Sequence, residues 1–149
     1  MIENRPKPRI TRRDADGETA MPDNGLIHEE LSGDIIGAAM AVLNTLKPGL
    51  DEKLYENALV IELQKRQHKV EQQTRFPVHY DGHLIGTLIP DVIVDGIVIA
   101  DAKVVSEFND AHIAQMLGYL AISNLELALL LNFKHAKLAW RRVVNTART

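Results

Sequence analysis

Asp91, Asp101 and Lys103 stand in the stretch LIPDVIVDGIVIADAKV, residues 88–104, the most β-prone part of the chain. Charged side chains are rarely buried unless paired, so two acids and an amine in so apolar a run ask for a reason. Asp101 and Lys103 are two residues apart and share one face of a strand. Whether Asp91 joins them depends on the turn. A two-residue loop at Asp95-Gly96 sets Asp91 against Ala100, with Asp101 on the other side of the sheet. A three-residue loop, Val94-Asp95-Gly96, sets Asp91 against Ile99 and brings Asp101 diagonally onto the same face. A type I turn closed by Gly96 in the left-handed region suits that loop. If the three groups converge, the two carboxylates repel and one is driven to keep a proton. A divalent cation removes the conflict, since Mg²⁺ takes oxygen ligands and often one or two carboxylates. A bound metal lowers the pKa of its water and stabilises charge on a phosphoryl oxygen. Lys103 beside it could orient that water or steady the charge of the phosphorane. The set therefore suits phosphodiester hydrolysis. The plain alternative is an edge salt bridge among Asp91, Asp101 and Lys103, and the D-x-K spacing alone does not decide between the two. Asp95 is assigned to the turn.

Two further sets carry candidate chemistry. In Gly49-Leu-Asp-Glu-Lys-Leu-Tyr55, Glu52 and Tyr55 lie three apart on one helical face. His112, Gln115 and Tyr119 share another face, and Gln115 is out of place among Ile113, Leu117 and Leu120 unless its amide has a partner. Each residue also has an ordinary reading: helix-dipole charge for Glu52, core edge for Tyr55 and Tyr119, solvated face for His112 and Gln115.

Periodicity supplies the elements that would hold these groups. Ile35, Ala39, Val42 and Leu46 recur at helical spacing, with Ser32 or Asp34 as cap and Pro48-Gly49 as terminator. A second helix is expected from Asp51 to His68, with Leu54, Ala58 and Ile61 as its buried stripe. The period then changes to two through Phe76, Val78 and Tyr80, followed by the hairpin signal Asp81-Gly82. Leu84 to Ile93 and Ile97 to Val104 continue as strands. A third helix fits Asn109 to Ser123, with Ile113, Leu117 and Leu120 inward. Leu125 to Phe133 is almost unbroken apolar sequence, as in a strand covered on both faces, and Ala136 to Val144 makes a last strand. The order α, α, β, β, β, α, β, β is that of an α/β protein with a mixed sheet.

The composition sets outer limits. The chain has 149 residues, 46% hydrophobic and 25% charged, which fits one domain. It has no cysteine, hence no disulfide framework and no thiolate site. No run of 18 apolar residues offers a membrane span, and the N-terminus lacks the apolar core of a signal peptide; the expected location is cytoplasmic. A net charge of −3 argues against a strongly basic nucleic-acid coat but leaves room for a local basic groove. Residues 1–25 hold three prolines and few large apolar side chains, and are expected to form a mobile N-terminal tail before a domain covering residues 26–149.

Together these residues resemble the GxxExxY protein family, a branch of the PD-(D/E)XK nuclease superfamily. The naming motif stands as Gly49, Glu52 and Tyr55. The superfamily core stands as Pro90-Asp91, then Asp101-Ala-Lys103. The family's glutamine and tyrosine-leucine pair correspond to Gln115 and Tyr119-Leu120, its strand ending in Asn-Phe to Leu130-Leu131-Asn132-Phe133, and its closing segment to Arg141-Arg142-Val143. The resemblance runs from about Leu26 to Val144. It implies a restriction-endonuclease-like core, with a mixed central sheet flanked by helices, and a metal-dependent nuclease. Carried over by position, Asp91, Asp101 and Glu52 would bind Mg²⁺ or Mn²⁺. Lys103 would assist catalysis and Gln115 would complete the site. Tyr55, His112 and Tyr119 are candidate binding residues. The second acid, usually Glu in the family, is Asp101 here, one methylene shorter. Leu43 and Lys47 stand where relatives commonly place His and Gly.

Two functions compete on this reading. One is a nuclease acting on DNA or RNA. The other is a nuclease-like module that binds nucleic acid or a protein partner without cutting, which the negative charge and the few aromatic residues would fit. A homodimer exchanging its tails is a third arrangement.

Overall fold

The leucine-rich run after Asn124 becomes the central strand, because only a strand with both faces covered can bury every residue of such a sequence. The computed structural model describes residues 26–146; the expectations for residues 1–25 lie outside them. The element order is α1 (Glu29–Leu46), α2 (Glu52–Lys65), β1 (Val70–Gln72), β2 (Phe76–Tyr80), β3 (His83–Leu88), β4 (Val92–Val94), β5 (Val98–Lys103), α3 (Asp110–Ser123), β6 (Leu127–Asn132) and β7 (Ala139–Val144). Five strands form one sheet in the order β1-β4-β5-β6-β7, while β2 and β3 form a separate hairpin. The β5–β6 pair is parallel and α3 makes its crossover; the other pairs are antiparallel.

Alternation along the strands sorts the core into two layers. Val92, Val94, Val98, Ala100, Leu127, Leu129 and Leu131 face α1 and α2, meeting Ile35, Ala39, Tyr55, Leu59 and Leu63. Ile93, Ile99, Ala128, Leu130 and Val143 face α3, meeting Met116 and Leu120. The period-two rule then puts Asp101 and Lys103, in phase with Ile99, on the α3 side.

Several expectations need correction. Of the expected α2 stripe Leu54, Ala58 and Ile61, only Ala58 packs against the core, partly buried. Leu54 and Ile61 are 48% and 66% exposed, whereas Tyr55, Glu56, Leu59 and Leu63 are buried. Tyr55, Leu59 and Leu63 keep a four-residue spacing one step out of phase, and an apolar count cannot see it because Glu56 shares the buried face. Helix α1 begins at Glu29, five residues before Asp34, so Ser32 and Asp34 are not caps. Ser32 instead receives a hydrogen bond from the buried Arg142 (2.8 Å), whose other nitrogen donates to the Ile27 carbonyl (2.7 Å). The expected strand Leu84–Ile93 is two strands in different sheets, broken at Pro90, which has no N–H to give a ladder. Strand β1, Val-Glu-Gln, carries no alternation and was not expected. In α3, Leu120 is fully buried as expected, and Met116 is the other deeply buried residue.

Far from Lys103, an ionic tie joins α1 to the sheet. His68 Nδ1 lies 2.7 Å from Asp95 Oδ2, and His68 Nε2 bonds Asp34. Asp34 also accepts from Arg66 Nη1 (3.0 Å), and Asp95 Oδ1 accepts from the Lys69 amide (2.8 Å). Asp95 thus anchors the turn as well as forming it. Burial alone would depress the His68 pKa, but the hydrogen bonds and charges of Asp34 and Asp95 outweigh it and hold the pKa above its usual 6.5. Burial likewise pushes Asp95 up, and the His68 hydrogen bond prevails, leaving it below 3.8. A raised histidine contributes stability that is full below the unfolded value and is lost as pH rises through the folded one; a lowered aspartate contributes stability lost as pH falls. The tie is therefore strongest between about pH 3.8 and 6.5. Between pH 6 and 9, denaturant midpoints of the wild type should fall faster than those of His68→Gln; parallel curves would show that the tie contributes no pH-dependent stability.

Candidate functional site

The β4–β5 turn settles the geometry left open by the sequence. The ladder pairs Val94 with Val98, Ile93 with Ile99 and Val92 with Ala100. The loop is three residues, Asp95-Gly96-Ile97, which is neither of the two loops the sequence left open and lies one position later than the three-residue one. The Ile97 amide bonds the Val94 carbonyl (2.9 Å), and Asp95 and Gly96 both have positive φ, 55° and 68°. In place of the type I turn that the Val94-Asp95-Gly96 loop would have used, it has the mirror-image backbone that hairpin twist favours. Continuing the register by one step sets Asp91 directly across from Asp101. The main chain of Asp91 is held there by the Gln73 amide, which donates to its carbonyl (2.9 Å).

Asp101 is buried at 3% exposure. Asp91 Oδ2 and Asp101 Oδ2 are both buried without a hydrogen-bond donor. Lys103 Nζ lies 3.4 Å from Asp101 Oδ2, within ion-pair range. Burial first, then a hydrogen bond with Asp101 and the charges of Asp101 and Glu56, push Asp91 up to about 8, against the pull of Lys103. Two carboxylates have no proton to share; a proton on Asp91 supplies the donor that both oxygens lack.

The lysine is oriented from α3. Its Nζ donates to Gln115 Oε1 (3.0 Å), and Gln115 Nε2 donates to Tyr119 Oη (3.1 Å). The odd amide in the apolar helix face thus has two partners, and Asp101, Lys103, Gln115 and Tyr119 form one chain. Burial and the charges of Asp101 and Asp91 raise the Tyr119 pKa, so its hydroxyl keeps its proton. His112 serves the helix end: its amide donates to Asn109 Oδ1 (3.0 Å) and its Nδ1 accepts from the Asn109 amide (3.1 Å), a reciprocal cap. Burial and nearby Lys103 lower its pKa, consistent with a neutral ring that accepts.

Helix α2 contributes two acids. Burial raises the Glu52 pKa, and Lys103 and the Val104 amide act against that rise, which places its carboxylate beside the end of β5. Glu56, one turn on, went unnoticed in the sequence. It is 3% exposed, and its Oε2 accepts from Lys53 Nζ (3.2 Å), Gln72 Nε2 (2.9 Å) and Gln73 Nε2 (2.9 Å). Its charge raises both Asp91 and Glu52. The spacing of four from Glu52 was the available signal, hidden by the misplaced stripe. Tyr55 takes a structural place. Its hydroxyl donates to the Lys47 carbonyl (2.5 Å) and accepts from the Leu50 amide (3.1 Å), and its ring meets Phe133 edge-on at 4.8 Å. The Gly49 backbone between them, at φ 117°, lies in the region that favours glycine.

Against known families, residues 29–143 match the PD-(D/E)XK nuclease superfamily. The chain belongs to the PD-(D/E)XK nuclease superfamily. A search of curated proteins returns no match. Among solved structures, the crystal structure of SSO0001 aligns with a TM-score of 0.52 at 14% identity, covering 85% of this chain and 60% of that one. The chain thus spans under two-thirds of that relative, and the likeness speaks for the fold, a restriction-endonuclease-like mixed sheet flanked by helices. An alkaline exonuclease from Laribacter hongkongensis aligns with a TM-score of 0.43 at 11% identity, over 78% of this chain and 82% of its own.

PD-(D/E)XK nucleases generally use divalent metals, and the donor set here fits one in part. Two buried carboxylate oxygens lack donors, and both are hard ligands suited to Mg²⁺ or Mn²⁺. Among the described residues, no group of three or more His, Asp or Glu converges as a ready-made cage. Mg²⁺ commonly keeps several waters with one or two carboxylates, so a pair suffices.

A raised aspartate contributes stability present below its unfolded value of 3.8 and lost as pH climbs through about 8. In metal-free buffer the wild type should lose stability between pH 5 and 9 relative to Asp91→Asn, whose amide can donate to Asp101. The variant should be ahead by roughly 1–3 kcal/mol at pH 9. Urea melts across that range check it; an unchanging difference would mean that Asp91 holds no shared proton.

Proposed function

We propose that this domain is a divalent-metal-dependent nuclease of the GxxExxY branch, hydrolysing phosphodiester bonds of DNA or RNA. The observation that carries the reading is the pair of donorless buried oxygens, Asp91 Oδ2 and Asp101 Oδ2, beside a lysine oriented by Gln115. In this reading Asp91 and Asp101 hold Mg²⁺ or Mn²⁺, with Glu52 as the third acid toward metal or its water. The metal, when bound, supplies an acidified water and a positive charge at the phosphoryl oxygen. Lys103 faces the scissile phosphate and steadies its developing charge; Gln115 and Tyr119 position Lys103. Glu56 supports the acids by keeping negative potential at Asp91 and favouring cation binding. Gly49, Glu52 and Tyr55 stand in motif order, Tyr55 bracing the loop that carries Gly49 and Glu52 reaching the Val104 amide beside the site, and this supports the branch assignment.

A second reading is a module that binds nucleic acid without cutting it. It is favoured by the net charge of −3 and the few aromatic side chains available to stack on bases. The two part in one assay, with purified protein on single- and double-stranded DNA and RNA in Mg²⁺, Mn²⁺ or EDTA. The nuclease should cut only with metal, and Lys103→Ala should slow it by at least about 10²-fold. Cutting that persists in both Lys103→Ala and Asp101→Ala would sink the assignment of this site, and binding without cutting would favour the module.

A further inference from the structure

Three loops meet at one end of the central strands. Because β5 and β6 are parallel with Lys103 opposite Asn132, the loops that follow them, residues 104–109 and 133–138, leave the sheet side by side. Asn132 clamps them: its Oδ1 accepts from the amides of Val105 (3.2 Å) and Lys134 (3.1 Å), and its Nδ2 donates to the Val105 carbonyl (2.8 Å). His135 Nε2 bonds the Ser106 carbonyl (3.0 Å), and the Phe133 amide bonds the Lys103 carbonyl (2.9 Å). The α1–α2 loop joins them through Tyr55, which holds the Lys47 carbonyl and packs on Phe133.

This end of the strands, where β5 closes at Lys103, has its own charge pattern. Lys47, Lys134 and Lys137 are exposed. Among the described residues none of the three has a carboxylate in ion-pair range, whereas Lys53 and Lys65 are paired along α2. The 133–138 loop contains no acid, in a chain of net charge −3. The 104–109 loop carries Glu107 and the α1–α2 loop ends in Asp51, so the 133–138 loop, with Lys134 and Lys137, is the acid-free member of the three. A fixed loop that presents unpaired ammonium groups beside a phosphate-handling lysine is suited to a polyanion with regularly spaced charges.

We infer that Lys47, Lys134 and Lys137 form a phosphate-backbone track for the nucleic-acid strand that enters the site at Lys103. The inference rests on the nuclease-fold reading but not on cutting. The track supplies sequence-independent affinity through counterion release, while Asn132 and Tyr55 act as positioning residues that fix the loops bearing it.

The test is binding of fluorescein-labelled single- and double-stranded oligonucleotides in EDTA, by anisotropy from 50 to 300 mM salt. The full-length wild type is compared with Lys134→Ala/Lys137→Ala, with the charge-retaining Lys134→Arg/Lys137→Arg, and with Lys65→Ala as a distant-lysine control. The alanine pair should weaken binding about tenfold and shallow the salt slope by roughly 1.4 on single strands or 1.8 on duplex. The arginine pair should restore the slope, and Lys65→Ala should leave it unchanged. A wild-type slope in the alanine pair, or an equal loss in Lys65→Ala, would overturn the track while leaving nucleic-acid binding intact. No binding by the wild type to any oligonucleotide would overturn the nucleic-acid reading and the track with it.

Discussion

The placement of Asp91 opposite Asp101 is the constraint on which the rest of the site depends. Two carboxylates are forced together by a sheet register, away from water, with one oxygen of each lacking a donor. Such an arrangement is costly unless a proton or a cation is shared. The residues around it can be understood as responses to that cost. Lys103 comes within ion-pair range of Asp101, Gln115 holds the lysine, and Tyr119 holds the glutamine. A protein selected only for stability would gain by replacing the pair with apolar side chains of similar size.

The fold supports this arrangement by rigidity. Strand β5 is buried between two core layers, so Asp101 has little freedom to relax away from Asp91. Asp91 stands at the break between the hairpin sheet and the main sheet, where Pro90 ends one ladder and the Gln73 amide fixes the next carbonyl. The crossover through α3 makes β5 and β6 parallel, which gathers the ends of both strands at one end of the sheet. The same topology that orients Lys103 therefore also brings the basic β6–β7 loop beside it.

The motif residues divide into chemical and mechanical parts. Glu52 lies at the end of β5, where its carboxylate feels Lys103 and Asp91. Tyr55 is a brace, fully buried, tying the α1–α2 loop to Phe133. Gly49 permits the backbone turn between Lys47 and Leu50, the two residues that the Tyr55 hydroxyl bonds. In the proposed reading, the three residues hold one acid toward the metal and two that keep it in place.

Much of this was legible in the sequence. The α/β class, the three helices, the buried β6 strand and the hairpin at Asp81-Gly82 follow from periodicity and turn chemistry, which act over a few residues. The company of Gln115 on the helix allows a polar partner or a solvated face, and only the tertiary structure supplies Lys103 and Tyr119 as partners. What local patterns could not decide was phase and partner. The stripe of α2 was misplaced because buried Glu56 reads as a surface residue until Gln72 at the end of β1 and Gln73 just after it are brought to it. The turn at Asp95 admitted several registers, and long-range ties chose one: His68 and the Lys69 main chain grip Asp95 from outside the hairpin. The sequence by itself determined which side chains could do chemistry and which elements would carry them. Only the tertiary structure decided that Asp91 meets Asp101, because the register that joins them is set by contacts far apart along the chain.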